Sequence, residues 1–369
     1  MKPKVGIFSR PIDQRTSGSG SHLLRIVRKL LELNRDFEIV LLHYQNCDLD
    51  IYRHTPHLLL PRNPLQGSGQ LATHRFRVLH YTPLTIFSPL WVPHTRKVAT
   101  IHGSSSYHLP SYVGKVKYYH DTKITPLYAR RMDFIFTVTQ ASRQFIARTY
   151  NIPFEKIVLT PNAVEDNYRV LADKDRIAED LRRTYALQPP FILHISRFSE
   201  RKNPWVLLKA FKHLKTMEGL ASLRLVIIGS GWNNEPVRAF IRSNDLENAI
   251  LLTGFIPDEE VVKWLNMAEV FVFPSLYEGF GIPNLEAMAC GCPVVTTNIP
   301  AVAEVVRDAG LFLTDAHDDQ QLADLVARIL LNPQLKEDLS RRGRQRARAF
   351  SWSQSAQTIL DTYTRCLEL

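Results

Sequence analysis

Cysteine is scarce: the 369 residues hold four, at Cys47, Cys290, Cys292 and Cys366. Only two lie close together, too few for a metal site, so a reduced, cytoplasmic setting is expected. Long apolar runs are missing as well. None reaches the roughly 18 residues that a membrane-spanning helix needs, and the opening MKPKVGIFSR runs into a short strand without the apolar stretch of a signal peptide. Acidic residues are sparse in the first half only. Residues 1–167 hold 22 Lys/Arg against 11 Asp/Glu, and the remainder hold 24 against 25. The net charge of +10 therefore sits in the first half. That half is either a well-solvated basic face or one that meets something anionic, such as a membrane surface, a phospholipid-linked group or nucleic acid. Apolar residues are plentiful at 45%, enough for full cores, and the length suggests two domains.

The most informative stretch is Pro274 to Pro293, PSLYEGFGIPNLEAMACGCP. The apolar run Val270 to Phe273 before it reads as a buried strand. A loop follows with Gly279 and Gly281, then Asn284 as the expected N-cap of a short helix, then the strand Val294 to Thr297. In such a strand–loop–helix unit, ligands sit at the loop beyond the carboxyl end of the strand. Glu278 on the loop and Glu286 on the helix flank it. Each carboxylate accepts two hydrogen bonds, which suits the paired hydroxyls of a sugar or a ribose. The glycines let the backbone come close and offer N–H groups to an anion.

A second constellation runs from Ser196 to Pro204, SRFSERKNP. A strand ends, Arg197 and Lys202 follow five apart, and Asn203 caps a helix with Pro204 at its first position. Cations beside a helix N-terminus are what a diphosphate needs. Arg201 lies between them and is expected to be exposed. Gly229-Ser230-Gly231 and Thr253-Gly254-Phe255-Ile256 end two further strands. The first is expected to let backbone approach the same ligand.

The pair Glu278 and Glu286, with EGFGIPNLEAMACGCPVV around it, resembles the E-x7-E signature of the retaining glycosyltransferase family 4, of GT-B fold. The likeness is strong from about residue 190 to 355 and looser before. It implies an α/β chain of two Rossmann-like domains facing across a cleft, with the last helix crossing back to the first domain. The expected bounds are 1–167 on the acceptor side, 168–352 for the nucleotide-sugar, and 353–369 for the returning helix. By resemblance, Arg197 and Lys202 bind the donor pyrophosphate, Glu278 the donor sugar and Glu286 the ribose. Gly279, Phe280, Gly281 and Ile282 line the donor with them, as does Gly229. The backbone around Phe255 and Ile256 reads the base, although Phe255 as plain core is an equal alternative. His102, at the end of a first-domain strand, resembles the family's strand-end histidine and would hydrogen-bond the donor sugar across the cleft rather than act as a base. Gly18 and Gly20 stand where the family has a Gly-rich loop beside the donor phosphates, and Pro161-Asn162-Ala163-Val164 resembles its PNGV turn with Ala163 in place of Gly. The implied activity is metal-independent hexosyl transfer, of mannose or glucose type, from a GDP- or UDP-linked sugar to a glycan or lipid-linked acceptor in cell-surface polysaccharide or glycolipid synthesis. No cofactor is expected beyond that co-substrate.

Several alternatives are weaker. A GT-B-fold sugar-nucleotide epimerase would share the donor residues; a phosphorylase would need a pyridoxal lysine for which no motif is found. Gly18-x-Gly20 lacks the third glycine of the dinucleotide fingerprint, which argues against NAD. Asp48-x-Asp50 has the form of a metal-binding pair but sits in a polar loop. The arginines at 341, 342, 344, 346 and 348 distribute round a predicted helix, and no nucleic-acid motif accompanies them. The basic first half, through the helix from His22 and the segment Lys115 to Arg131, is expected to rest peripherally on the anionic inner face of the cell membrane.

Overall fold

The computed structural model describes residues 2–13, 18–85, 87–103, 105–187 and 190–369. The chain divides into two compact units, residues 1–162 with 351–369, and residues 163–350. Each is built on a wholly parallel sheet.

In the first unit the strands are β1 (Lys4–Phe8), β2 (Glu38–His43), β3 (His57–Leu59), β4 (Val78–Tyr81), β5 (Arg96–Thr100), β6 (Phe134–Thr137) and β7 (Ile157–Leu159). Their order across the sheet is β3-β2-β1-β4-β5-β6-β7. The runs are short and apolar because both faces are covered, as in helix-flanked parallel sheets generally. Phe8, Leu42, Leu79, Tyr81, Ala99 and Ile135 meet in one core. The final helix, Trp352–Glu368, packs on the helix Gly18–Leu33. Ser351 caps that final helix as the sequence predicts, its side chain accepting from Gln354 N. Its Tyr363 hydroxyl and Thr100 hold the two ring nitrogens of buried His80, each at 2.7 Å.

In the second unit the strands are β8 (Phe191–Ile195), β9 (Arg224–Ile228), β10 (Ile250–Gly254), β11 (Val270–Phe273), β12 (Val294–Thr297) and β13 (Gly310–Leu313). The order is β10-β9-β8-β11-β12-β13. The chain winds outward from β8 in one direction and from β11 in the other. The winding reverses between β8 and β11, the switch point at whose carboxyl edge such sheets bind ligands. Gly229 ends β9 beside it. Its φ is +134°, and a Cβ there would lie 2.0 Å from the Ser196 carbonyl oxygen. This glycine serves the packing of two strand ends against each other.

Residues 45–75 contain helices at Asp50–His54 and Pro64–Thr73 as well as β3. The second helix has a plain capping signal: the Asn63 side chain accepts from Leu65 N and Gln66 N, with Pro64 at its start. β3 and β13 are too short to show a period. A helical turn at Arg10–Asp13 follows β1, and the long helix begins at Gly18; residues 14–17 lie outside the described residues.

Candidate functional site

The loop leaving β8 carries its cations on a short 3-10 turn, Glu200–Lys202. Phe198 N bonds the Ser230 carbonyl, which ties the loop to the glycine turn after β9. Asn203 follows in the left-handed region at φ +56° and Pro204 starts the helix Pro204–Thr216. The expected side-chain cap is not formed. The Asn203 amide instead donates to the Ala316 carbonyl at 2.5 Å, so the residue anchors the loop rather than the helix end. Arg197 is exposed at the start of the loop.

The loop leaving β11 docks on this turn. Leu276 N bonds the Arg201 carbonyl at 2.8 Å. Arg201 Nη1 donates to the Tyr277 carbonyl and to Glu278 Oε1, each at 2.7 Å. Lys202 Nζ donates to the same Glu278 Oε1 at 2.6 Å and lies 4.3 Å above the Phe273 ring. The side chains of Lys202 and Glu278 are only 12% and 13% exposed. Arg201 is thus half-buried and bound to Glu278, which corrects the expectation that it is exposed. A run of alternating charges gives no sign of which cation turns inward, so the sequence hides this contact. His194, which was not singled out either, lies below: its ring stacks on Phe273 and its nitrogens meet the Val272 carbonyl and Ser196 Oγ.

Burial alone would raise the Glu278 carboxyl. The charges of Lys202 and then Arg201, with the Lys202 hydrogen bond, more than offset it and hold the group below its ordinary value. Lys202 is shifted down, by burial first, with Glu278 opposing and Arg201 adding to the shift. The two directions are compatible. Both charges lose water, and Glu278 has two cationic neighbours to compensate it whereas Lys202 has one anion and a like charge.

The helix beyond the loop runs from Ile282 to Ala289, two residues earlier than predicted. Gly281, at φ +86°, is its N-cap. A Cβ there would approach Asn284 Nδ2 and Val302 within 3.0–3.2 Å. Asn284 is therefore not the cap but a buried residue inside the first turn. Glu286 accordingly stands in the second turn, buried. Gly279 and Ile282 are half-buried beside the loop. Phe280 is buried edge-on to Phe350, 5.5 Å between centroids, and so belongs to the packing of this unit. Of the pair after β10, Ile256 is buried and Phe255 is 78% exposed, which removes the core alternative for Phe255.

Within the first unit, His102 follows β5 and lies edge-on to His22, 4.4 Å between centroids. Burial lowers His102 to about 4, so it is neutral at physiological pH. His22 Nδ1 is 2.5 Å from Asn162 Oδ1, which assigns the ring proton to Nδ1 because the amide oxygen only accepts. Ala163, where the family turn has glycine, is buried and is not among the residues of positive φ, so it needs no glycine. Gly18 and Gly20 fall in the first turn of a helix, not in a loop. Asp48 is held by Arg53 at 2.6 Å and Asp50 lies 3.4 Å from His54. On the helix Pro333–Ala347, Arg341 and Arg342 pair with Asp338, and Arg346 donates to the carbonyls of Val305 and Glu304.

A lowered carboxyl pKa adds stability that is complete above the ordinary value of 4.5 and is lost as the pH falls through the folded value. Acid should therefore weaken the second unit below that pH, and Glu278→Gln should remove this part of the acid dependence. At neutral pH the same variant leaves two buried cations facing each other and should cost about 3 kcal/mol or more. Lys202→Met should cost less, because the Arg201 pair survives. Chemical denaturation at neutral and acid pH measures both; equal losses for the two variants would show that the carboxylate is not shared in this way.

Residues 178–346 match the family model Glycosyl transferases group 1, and residues 16–168 match Glycosyltransferase Family 4. The O-antigen chain mannosyltransferase B of Escherichia coli is 29% identical over 382 residues, covering 98% of this chain and 99% of that protein. Among solved structures, a sucrose-phosphate synthase from Thermosynechococcus elongatus superposes with a TM-score of 0.80 at 18% identity, over 99% of both chains. Anabaena Alr3699/HepE in complex with UDP-glucose gives 0.79 at 16% identity, over 98% of this chain and 99% of that one. Two successive family models, a relative matched end to end and the shared fold place this chain in glycosyltransferase family 4, with the GT-B fold.

Proposed function

We propose that the chain is a retaining hexosyltransferase that moves a mannosyl group from a nucleotide-linked donor, GDP-mannose first, to a growing cell-surface glycan. The observation that carries this reading is the Glu278–Lys202 contact at the switch point of the second sheet, where an anion acceptor and a hydroxyl acceptor stand side by side. The end-to-end similarity to a mannosyltransferase favours mannose, and UDP-glucose in a structure of the same fold keeps a UDP-sugar as the second donor to try.

In this proposal Lys202, with three donors and one of them spent on Glu278, offers the others to the diphosphate. Arg197 adds a planar guanidinium. The two cations stabilise charge that builds on the leaving nucleoside diphosphate as its bond to the sugar breaks. Glu278 holds both of its cations through Oε1, which leaves Oε2 facing neither of them and suited to accept from hydroxyls of the donor sugar. Glu286 accepts from the ribose hydroxyls, the backbone about Phe255 and Ile256 meets the base, and the N–H groups at Gly279 to Ile282 face the phosphates. The acceptor hydroxyl attacks on the face that the diphosphate leaves, which gives retention. Because side-chain cations neutralise the leaving group, no metal or other cofactor is required.

Transfer from labelled GDP-mannose to a mannan or lipid-linked mannosyl acceptor should therefore be seen, and should persist in excess EDTA. Lys202→Ala should lower turnover by roughly a hundredfold or more, the usual scale for losing one charge-stabilising donor. Wild-type turnover in that variant, or complete loss with EDTA that Mn²⁺ restores, would overturn the assignment. An epimerised donor formed without acceptor would point to a sugar-nucleotide epimerase instead.

We propose further that the enzyme works on an anionic membrane surface. Among the described residues no helix is long and apolar enough to cross a membrane. The segment with helices Lys115–Tyr119 and Thr125–Ala129 turns apolar side chains outward, with Val116 at 86% exposure and Tyr119 and Leu127 also exposed. Lys115, Lys117 and Lys123 lie among them, the mixture that favours an interface. Each such cation contributes about 1 kcal/mol at an anionic leaflet. The protein should float with anionic vesicles at low salt, sink in high salt, and lose binding when the three lysines become Glu. Wild-type protein that stays at the bottom of the gradient at low salt would refute the surface reading.

A further inference from the structure

Two cations reach one oxygen of Glu278, and they are held differently. Lys202 Nζ lies 2.6 Å from Oε1 and rests over the Phe273 ring. Its flexible stem lets the ammonium turn toward an incoming anion while the backbone stays in place. Arg201 is bound to the loop that carries Glu278. Its Nη1 donates to the Tyr277 carbonyl as well as to Oε1, each at 2.7 Å, and its own carbonyl accepts from Leu276 N at 2.8 Å. A guanidinium tied to a backbone carbonyl and a carboxylate at once keeps its place when its neighbour moves. It also keeps its charge, because arginine stays protonated throughout the working range of a protein.

Glu278 needs such a partner. Burial raises its carboxyl; the charge of Lys202 is the largest influence against that, and the charge of Arg201 is the next. The Ser275 hydroxyl and His194, which burial lowers to about 4, also act with the carboxylate and carry no charge at neutral pH. A diphosphate that shares Lys202 weakens the larger cationic influence and adds negative charge beside a carboxylate whose side chain is only 13% exposed. Both changes favour the protonated form. A protonated Glu278 would donate through its O–H and accept fewer hydrogen bonds. We propose that Arg201 is a positioning residue of the transfer reaction: fixed on the Tyr277 carbonyl, it stays on Glu278 Oε1 while the donor diphosphate shares Lys202, and so keeps Glu278 an ionised acceptor for the donor sugar. The proposal rests on the donor roles of Lys202 and Glu278 given above. A plain latch between the loops does not need the guanidinium, because the bond from Leu276 N to the Arg201 carbonyl already joins them.

Calorimetric titration of the full-length protein with GDP, and with UDP as a second probe, counts the protons taken up on binding when it is repeated at about pH 6.5 in buffers of different ionisation enthalpy. Arg201→Gln should take up about one proton more than the wild type. The variant should fold, because the Arg201 side chain is 34% exposed and Lys202 remains on Glu278. Arg201→Lys restores the charge and should return the count to that of the wild type. Adding Glu278→Gln to Arg201→Gln should remove the extra proton. In turnover, the acid limb of kcat, which reports groups in the bound complex, should move to higher pH by about one unit or more in Arg201→Gln, with a smaller move in kcat/KM. A latch alone would lower activity equally at every pH. The same proton count and the same acid limb in wild type and Arg201→Gln, both binding nucleotide, would overturn the role of Arg201 and leave the donor reading standing. Failure of both nucleotides to bind the wild type would overturn the donor reading and this role together.

Discussion

One carboxylate oxygen, Glu278 Oε1, receives both Lys202 and Arg201. The second unit's functional edge depends on that contact. Two loops leave neighbouring strands at the point where the sheet's winding reverses, and a backbone bond from Leu276 N to the Arg201 carbonyl joins them. Charge joins them further. Without the carboxylate, two half-buried cations would repel each other; without the cations, a buried carboxylate would take up a proton. In the proposed reading a bound diphosphate shares Lys202 without exposing it. Around this centre the supports are neutral: the Phe273 ring under Lys202, His194 beneath that ring, and the Asn203 amide on the Ala316 carbonyl.

Much of this was legible in the amino-acid sequence, for physical reasons that differ by element. The strands of the second unit are apolar runs bounded by turn residues, and such runs have few alternatives once both faces are covered. The spacing of Glu278 and Glu286 across two glycines marked the loop. What stayed hidden were the contacts between segments distant in the chain. Arg201 and Lys202 are adjacent and chemically alike, yet both turn to one carboxylate some seventy-six residues away. Asn284 has the right type for an N-cap, but Gly281 opens the helix, where a φ of +86° and the closeness of Asn284 and Val302 favour glycine. Gly229 carries a reason invisible in one dimension, the nearness of the Ser196 carbonyl. In the first unit, β3 and the helices between residues 50 and 73 have too few turns or pleats to declare a period, although Asn63-Pro64 was a readable start.

The first unit repeats the logic with different groups. Two of its buried histidines are pinned by partners and lowered by burial: His80 between Tyr363 and Thr100, and His22 on Asn162. Burial keeps His102 uncharged, which fits a hydrogen-bonding role and not a base. The excess of positive charge lies in this half of the chain, while the second half balances its charges within itself.

Hydrogen–deuterium exchange over the whole chain, with and without a saturating nucleoside diphosphate, tests most directly that the two loops form one site. Protection should rise together in residues 196–204 and 275–286, since the diphosphate engages Lys202 and the helix start at Gly281 at once. Protection of one loop alone, or a rise elsewhere with neither loop affected, would contradict a single diphosphate site built on Glu278 and Lys202.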